Sequence, residues 1–155
     1  MSRLIAYEAS AVAKAAPEHV WAAWIDVGGW SEAEHIESAR LDGDFRPGGT
    51  IVSKAKGLPR TTLTITRVEP PHVWVDESRS PGVQMTFEHV IEPGEAGTEL
   101  TERVLISGPL GRLVGALLRR KLEALFAASV AHVTRRAEEA AQPHGAAPDE
   151  HQASR

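Results

Sequence analysis

Few side chains in this sequence are of types that carry out chemistry, and their neighbours narrow what that chemistry is. In Val83-Gln84-Met85-Thr86-Phe87-Glu88-His89-Val90-Ile91, apolar and polar residues alternate, so His89 shares one face with Met85, Phe87 and Ile91. Imidazole changes charge near neutral pH, and inside an apolar space it suits general acid or base work on a bound carbonyl compound. The same histidine also suits a plainer role, hydrogen-bonding a neighbouring strand or a water. Glu102 has the inward phase of Leu100, Val104 and Ile106 in a later strand. Paired with His89 across adjacent strands it would form a proton-transfer unit, whereas a bulge would turn it to solvent to pair with Lys or Arg.

The remaining candidates are weaker. Four tryptophans, Trp21, Trp24, Trp30 and Trp74, can each supply a flat wall to an aromatic ligand or simply fill the core. The histidines at 19, 35, 72, 89, 132, 144 and 151 show no pair at metal-ligand spacing, so no metal is expected. Gly108-Pro109-Leu110-Gly111 lacks the Lys of a phosphate-binding loop and reads as a turn. Neither Ser107 nor Ser129 has the context of a nucleophile. The basic run Arg119-Arg120-Lys121 suits contact with an anionic membrane or acidic partner, but a solvated helix face explains it as well and is the preferred reading.

Composition sets the outer bounds. The 155 residues suit one domain with one core, and the formal charge of -4 gives no broad attraction to nucleic acid. The absence of cysteine removes disulfides and thiolate chemistry and fits a reducing compartment. Residues Met1 to Glu8 lack the apolar stretch of a secretory signal, and no apolar run approaches the roughly 20 residues of a membrane span. These features together predict a cytoplasmic protein without integral membrane association.

The elements that must position these side chains follow from turns and periodicity. From Asp42 onward, turn signals recur at Asp42-Gly43, Pro47-Gly48-Gly49, Gly57-Leu58-Pro59, Pro70-Pro71, Ser80-Pro81-Gly82, Pro93-Gly94 and Gly108-Pro109. That spacing predicts an antiparallel meander of short strands. Ile51, Ser53 and Ala55 are assigned inward, while Val73-Trp74-Val75 is apolar on both faces and its phase stays open. Pro17 opens a short helix with the stripe Val20, Trp21, Trp24 and Ile25, ended by Gly28-Gly29, and a second brief turn is expected over Trp30–Glu34. A long amphipathic helix is predicted from about Leu110 to Ala140, burying Leu113, Leu117, Leu118, Leu122, Leu125, Phe126, Ser129 and Val133. Residues 1–141 form the expected domain, and 142–155 read as a flexible tail.

This order of strand, helix pair, six-strand meander and long helix resembles the START-like helix-grip superfamily of polyketide cyclase/dehydrase and lipid-transport proteins. The patterns that carry the resemblance are Ala16-Pro17-Glu18-His19-Val20-Trp21 with Trp24, Asp26 and Trp30; Asp42-Gly43-Asp44-Phe45-Arg46-Pro47-Gly48-Gly49; and Gly97-Thr98-Glu99-Leu100-Thr101 running to Ser107-Gly108-Pro109-Leu110. It implies an α+β fold in which a curved sheet of about seven strands wraps a C-terminal helix around a cavity. The residues expected at that cavity are Trp24, Trp30, Phe45, Ser53, Ile65, Met85, Phe87, Leu118, Leu122 and Phe126, with His89 and Glu102 as candidate catalytic groups. The leading functional expectation is binding of a small hydrophobic or aromatic ligand, extended in the enzymatic case to cyclisation or dehydration with no organic cofactor. The alternatives are a non-catalytic lipid or metabolite carrier or sensor, and an interaction module like the chaperone-ATPase activators of the superfamily. A monomer or homodimer is expected.

Overall fold

In the computed structural model of the protein, which describes residues 5–142, the chain forms seven strands and two α-helices. Strand β1 (Ile5–Ala13) leads into α1 (Pro17–Ile25) and a 3₁₀ turn over Val27–Glu32. The meander follows as β2 (Ile36–Asp42), β3 (Thr50–Ala55), β4 (Thr61–Glu69), β5 (Val73–Ser80), β6 (Val83–Gly94) and β7 (Gly97–Ser107), and α2 (Gly111–Ala141) completes the fold. The antiparallel sheet has the order β1-β7-β6-β5-β4-β3-β2, so the first strand closes against the last. This is the expected helix-grip architecture. The tail expected at 142–155 lies outside the described residues except for Gln142, the C-cap of α2.

The sheet sorts side chains by alternation. On its outer face Arg103 of β7 bonds Glu8 of β1 at 2.9 Å and Glu88 of β6 at 3.3 Å, an ion-pair ladder in solvent. On its inner face Leu100, Val104 and Ile106 are fully buried, and Phe126 of α2 is buried among the residues facing them. The other half of the core is aromatic. Trp24 and Trp74 pack edge-to-face at 6.3 Å, and Trp30 lies nearly parallel to Trp74 at 6.1 Å.

Two features differ from the expectation drawn from periodicity, and a third settles what periodicity left open. The turn after α1 begins at Val27, earlier than Trp30, because Gly29 is pressed against Arg136 of α2, where a Cβ would collide with the guanidinium. Arg136 there pairs with Asp26 at 3.0 Å and Glu32 at 3.5 Å, holding the helix pair to α2. The phase of β5 is settled by a register shift in β4 between Ile65 and Arg67, which leaves Trp74 and Asp76 inward. Leu113 and Leu117 are exposed, at 60% and 72%, because the sheet side of the first turns of α2 is taken by Gly111 and Gly115.

Candidate functional site

Between the concave sheet and α2 lies a cavity of about 420 Å³, and it is mostly apolar. Met85 and Phe87 of β6 face Leu118, Leu122 and Phe126 of α2 across it. Its lining residues are exposed at one end only, at Pro59, Ser80, Pro81 and Leu110, which therefore frame the mouth. The deep end is closed by Trp24, Ala33 and His132.

The ionisable groups lie on adjacent strands because the ladders bring them into line. Trp74, His89 and Glu102 are direct cross-strand partners on β5, β6 and β7, and Asp76 sits two residues beyond Trp74 on the same face. The imidazole of His89 stacks on the Trp74 indole at 3.4 Å with the planes 1° apart, and Trp24 meets its edge at 5.1 Å. Its Nδ1 lies 3.3 Å from the Trp74 carbonyl oxygen. A carbonyl can only accept, so Nδ1 carries the hydrogen and donates, leaving Nε2 as the working nitrogen. Nε2 faces Glu102 Oε1 at 3.6 Å, slightly beyond hydrogen-bond length. Both side chains are buried, and Glu102 Oε2 has no partner among the described residues.

Asp76 completes the group. It is 1% exposed, its Oδ1 is unpartnered, and its pKa is pushed up to about 7. Burial is the main cause, the nearby charges of Glu102 and Glu77 add to it, and His89 opposes it. Near neutral pH this carboxyl therefore holds a proton for much of the time.

A second polar group lies at the deep end, where the rings of His35 and His132 meet edge-to-face at 6.4 Å. Burial lowers the pKa of His132, with Arg136 and Arg135 assisting against a hydrogen bond to the Gly29 backbone and the charge of Glu32. His35 is lowered by burial, with His132 and Arg135 acting in the same sense and Glu102 against them. Both histidines are thus favoured as neutral imidazoles.

Of the residues expected at the cavity, Trp24, Trp30, Ser53, Met85, Phe87, Leu118, Leu122 and Phe126 line it, together with His89 and Glu102. Phe45 and Ile65 do not. Phe45 packs on Trp74 at 5.1 Å and Trp21 at 6.4 Å, and Ile65, 1% exposed, belongs to the same aromatic core. Sequence reasoning missed Asp76, His35 and His132. The signal for Asp76 was the alternation Trp74, Asp76, Ser78, usable only once β5 was phased. For His132 it was the helical spacing from Ser129, which also lines the cavity. Among the described residues no three His, Asp or Glu side chains are grouped to hold a metal ion.

A curved sheet closed by one long helix over an apolar cavity with a small ionisable cluster defines the helix-grip class. Within it, the chain belongs to the polyketide cyclase / dehydrase and lipid transport family, whose model matches residues 5–138. No curated protein matches the chain in sequence. Among solved structures it is similar to the di-domain ARO/CYC StfQ from the steffimycin biosynthetic pathway, with TM-score 0.74 and 15% identity over 89% of this chain. The match covers 52% of StfQ, so the chain spans about half of that protein's length. It is also similar to the ZhuI aromatase/cyclase from Streptomyces sp. R1128, at TM-score 0.69 and 17% identity over 92% of this chain and 99% of that one. A norcoclaurine synthase point mutant from Thalictrum flavum matches at TM-score 0.71 and 10% identity, over 90% of this chain and 98% of that one. At such identities the likeness concerns the fold alone.

Proposed function

We propose that the cavity takes a small hydrophobic or aromatic carbonyl compound and that His89, with Glu102 and Asp76, moves protons on it, as a cyclase or dehydratase needing no organic cofactor. The observation that carries this reading is the His89 ring, buried in an apolar wall with Nδ1 engaged by a main-chain carbonyl and Nε2 left for a proton. Nε2 takes a proton from the carbon beside a ligand carbonyl, and the electron pair passes to the carbonyl oxygen, which the protonated Asp76 carboxyl stabilises. The carbon then attacks a second carbonyl of the folded ligand, closing a ring. The alkoxide this leaves takes the proton from the imidazolium, which Glu102 balances, and becomes a hydroxyl. Nε2 then removes the remaining hydrogen of the same carbon and passes it to that hydroxyl, which departs as water as the carbon–carbon double bond forms. The apolar walls exclude bulk water and hold the ligand bent, which lowers the entropic cost of closure. Family membership and the likeness to an aromatase/cyclase support the same reading. In this account the protein works in the cytoplasm as a monomer or homodimer, and a formal charge of -4 argues against nucleic acid as its partner.

The test uses 2-acetylnaphthalene as probe, following binding by tryptophan fluorescence and deuterium exchange at its methyl group by NMR. The wild type is expected to bind it and to exchange faster than buffer alone, and His89→Gln to lose about a hundredfold of that rate while keeping most of the affinity. Binding without any enhanced exchange would contradict catalysis and leave a carrier.

A further inference from the structure

We propose that the mouth of the cavity is a docking surface for an anionic lipid membrane, on which the protein sits mouth-down without crossing it. Strands β3, β5 and β7 all end at one edge of the sheet, so the β3–β4 turn, the β5–β6 turn and the start of α2 meet there. Lys121 Nζ bonds the Gly57 carbonyl at 2.9 Å and Leu110 N bonds the Gly82 carbonyl at 2.9 Å, tying α2 to both turns. At this rim Leu110 is 48% exposed with Pro59 and Pro81 exposed as well, and on the outward face of the same stretch of α2 Leu113 and Leu117 are 60% and 72% exposed. Large aliphatic side chains standing in water on successive turns of one helix are costly unless something covers them.

The charge around the rim indicates what covers it. Segments 56–60, 79–84 and 107–121 hold seven of the chain's 17 Lys and Arg and none of its 21 Asp and Glu. Lys56, Arg60, Arg112 and Arg120 enter none of the ion pairs among the described residues. The opposite edge, with the β2–β3, β4–β5 and β6–β7 turns, carries Asp42, Asp44, Glu69, Glu92 and Glu95 against Arg46. A net-acidic molecule thus has one basic, leucine-tipped end, and an anionic bilayer orients it mouth-first. Exposed leucines flanked by Lys and Arg on a polar helix are the composition of an interfacial, non-spanning element, and no described helix is long and apolar enough to cross a membrane. A bilayer fits better than an acidic protein because the basic groups come from three separate segments around a central opening. A fluid array of headgroups meets such a ring without needing a fixed partner geometry. Docking there would let an apolar molecule pass between bilayer and cavity without entering water.

The full-length protein is mixed with vesicles of phosphatidylcholine alone or with phosphatidylglycerol added, and the bound fraction is read by flotation at low and high salt. Alongside, the solution mass of wild type and Leu113→Ser/Leu117→Ser is read by light scattering. The expected result is binding to the phosphatidylglycerol vesicles, weakened about tenfold or more by Arg112→Gln/Arg120→Gln and similarly by Leu113→Ser/Leu117→Ser. These substitutions are at exposed positions, and unchanged circular dichroism confirms that the variants fold. Equal binding to both vesicle types, no binding to either, or binding indifferent to the leucines would overturn the proposal. So would a dimer that the leucine variant dissolves, or capture by an acidic protein with no vesicle binding. Because no cavity ligand enters the assay, its failure would leave the catalytic reading intact.

Discussion

At Asp76 the folded chain holds a proton that the unfolded chain would give up. Its pKa rises from 3.8 to about 7 on burial, so between those values the native state binds more protons than the unfolded state. The contribution of Asp76 to stability should therefore be most favourable at about pH 4 and below, fall as pH rises, and level off above about 7, where the full cost of the buried charge is present. Asp76→Asn, always neutral, should flatten that dependence. The variant should gain on the order of a few kcal/mol over wild type between pH 4.5 and 8, read as the difference in urea midpoints. Parallel profiles would show that His89 on β6, facing Asp76 beside Glu102 and Glu77, offsets its burial. The inward position of His89 was legible in the sequence from the alternation of β6, while that of Glu102 depended on β7 running without the bulge that would have turned it to solvent, and β7 pairs with β6 in unbroken register. Asp76 was not, since both faces of Val73-Trp74-Val75 are apolar and the irregularity that fixes their phase sits on the neighbouring strand, β4.

Among the elements, α2 was legible in extent and only partly in facing. Its leucine spacing predicts one continuous buried stripe, yet the stripe begins near Val114 and Leu118, with Leu113 and Leu117 left outside. Periodicity registers apolar residues but not which of them the sheet meets, and here the sheet side is taken by Gly111, set against Ile106, and by Gly115, whose carbonyl accepts from Tyr7, so those leucines are left on the far side of the helix. The element is launched by Gly108, at φ +100°, where a Cβ would meet the carbonyl group of Gly82. Both obstacles are backbone and neither yields. Gly108→Ala is expected to cost about 1–3 kcal/mol, which a thermal melt reads as a fall of several degrees in Tm. An unchanged melting temperature would mean that the turn before α2 relaxes freely.

For the whole molecule, the helix-grip fold followed from regular turns, and the cavity is what that fold leaves between a curved sheet and one long helix. Which aromatics border it did not follow. Phe45 and Ile65 read as lining residues, but Phe45 is consumed in packing Trp74, whose ring in turn backs His89, and Ile65 is buried in the same cluster. The aromatic half of the core thus orients the imidazole, and the aliphatic half is left for a ligand. Met85 offers a direct view of that space, because it lines the cavity and the chain has only one other methionine, Met1. With methionine methyl groups labelled with carbon-13, titration with 2-acetylnaphthalene should shift the Met85 signal upfield through ring currents and produce contacts from the naphthyl protons to that methyl. A Met85 signal that stays fixed while the probe saturates the protein would contradict the account, because the ligand would then be bound outside the cavity.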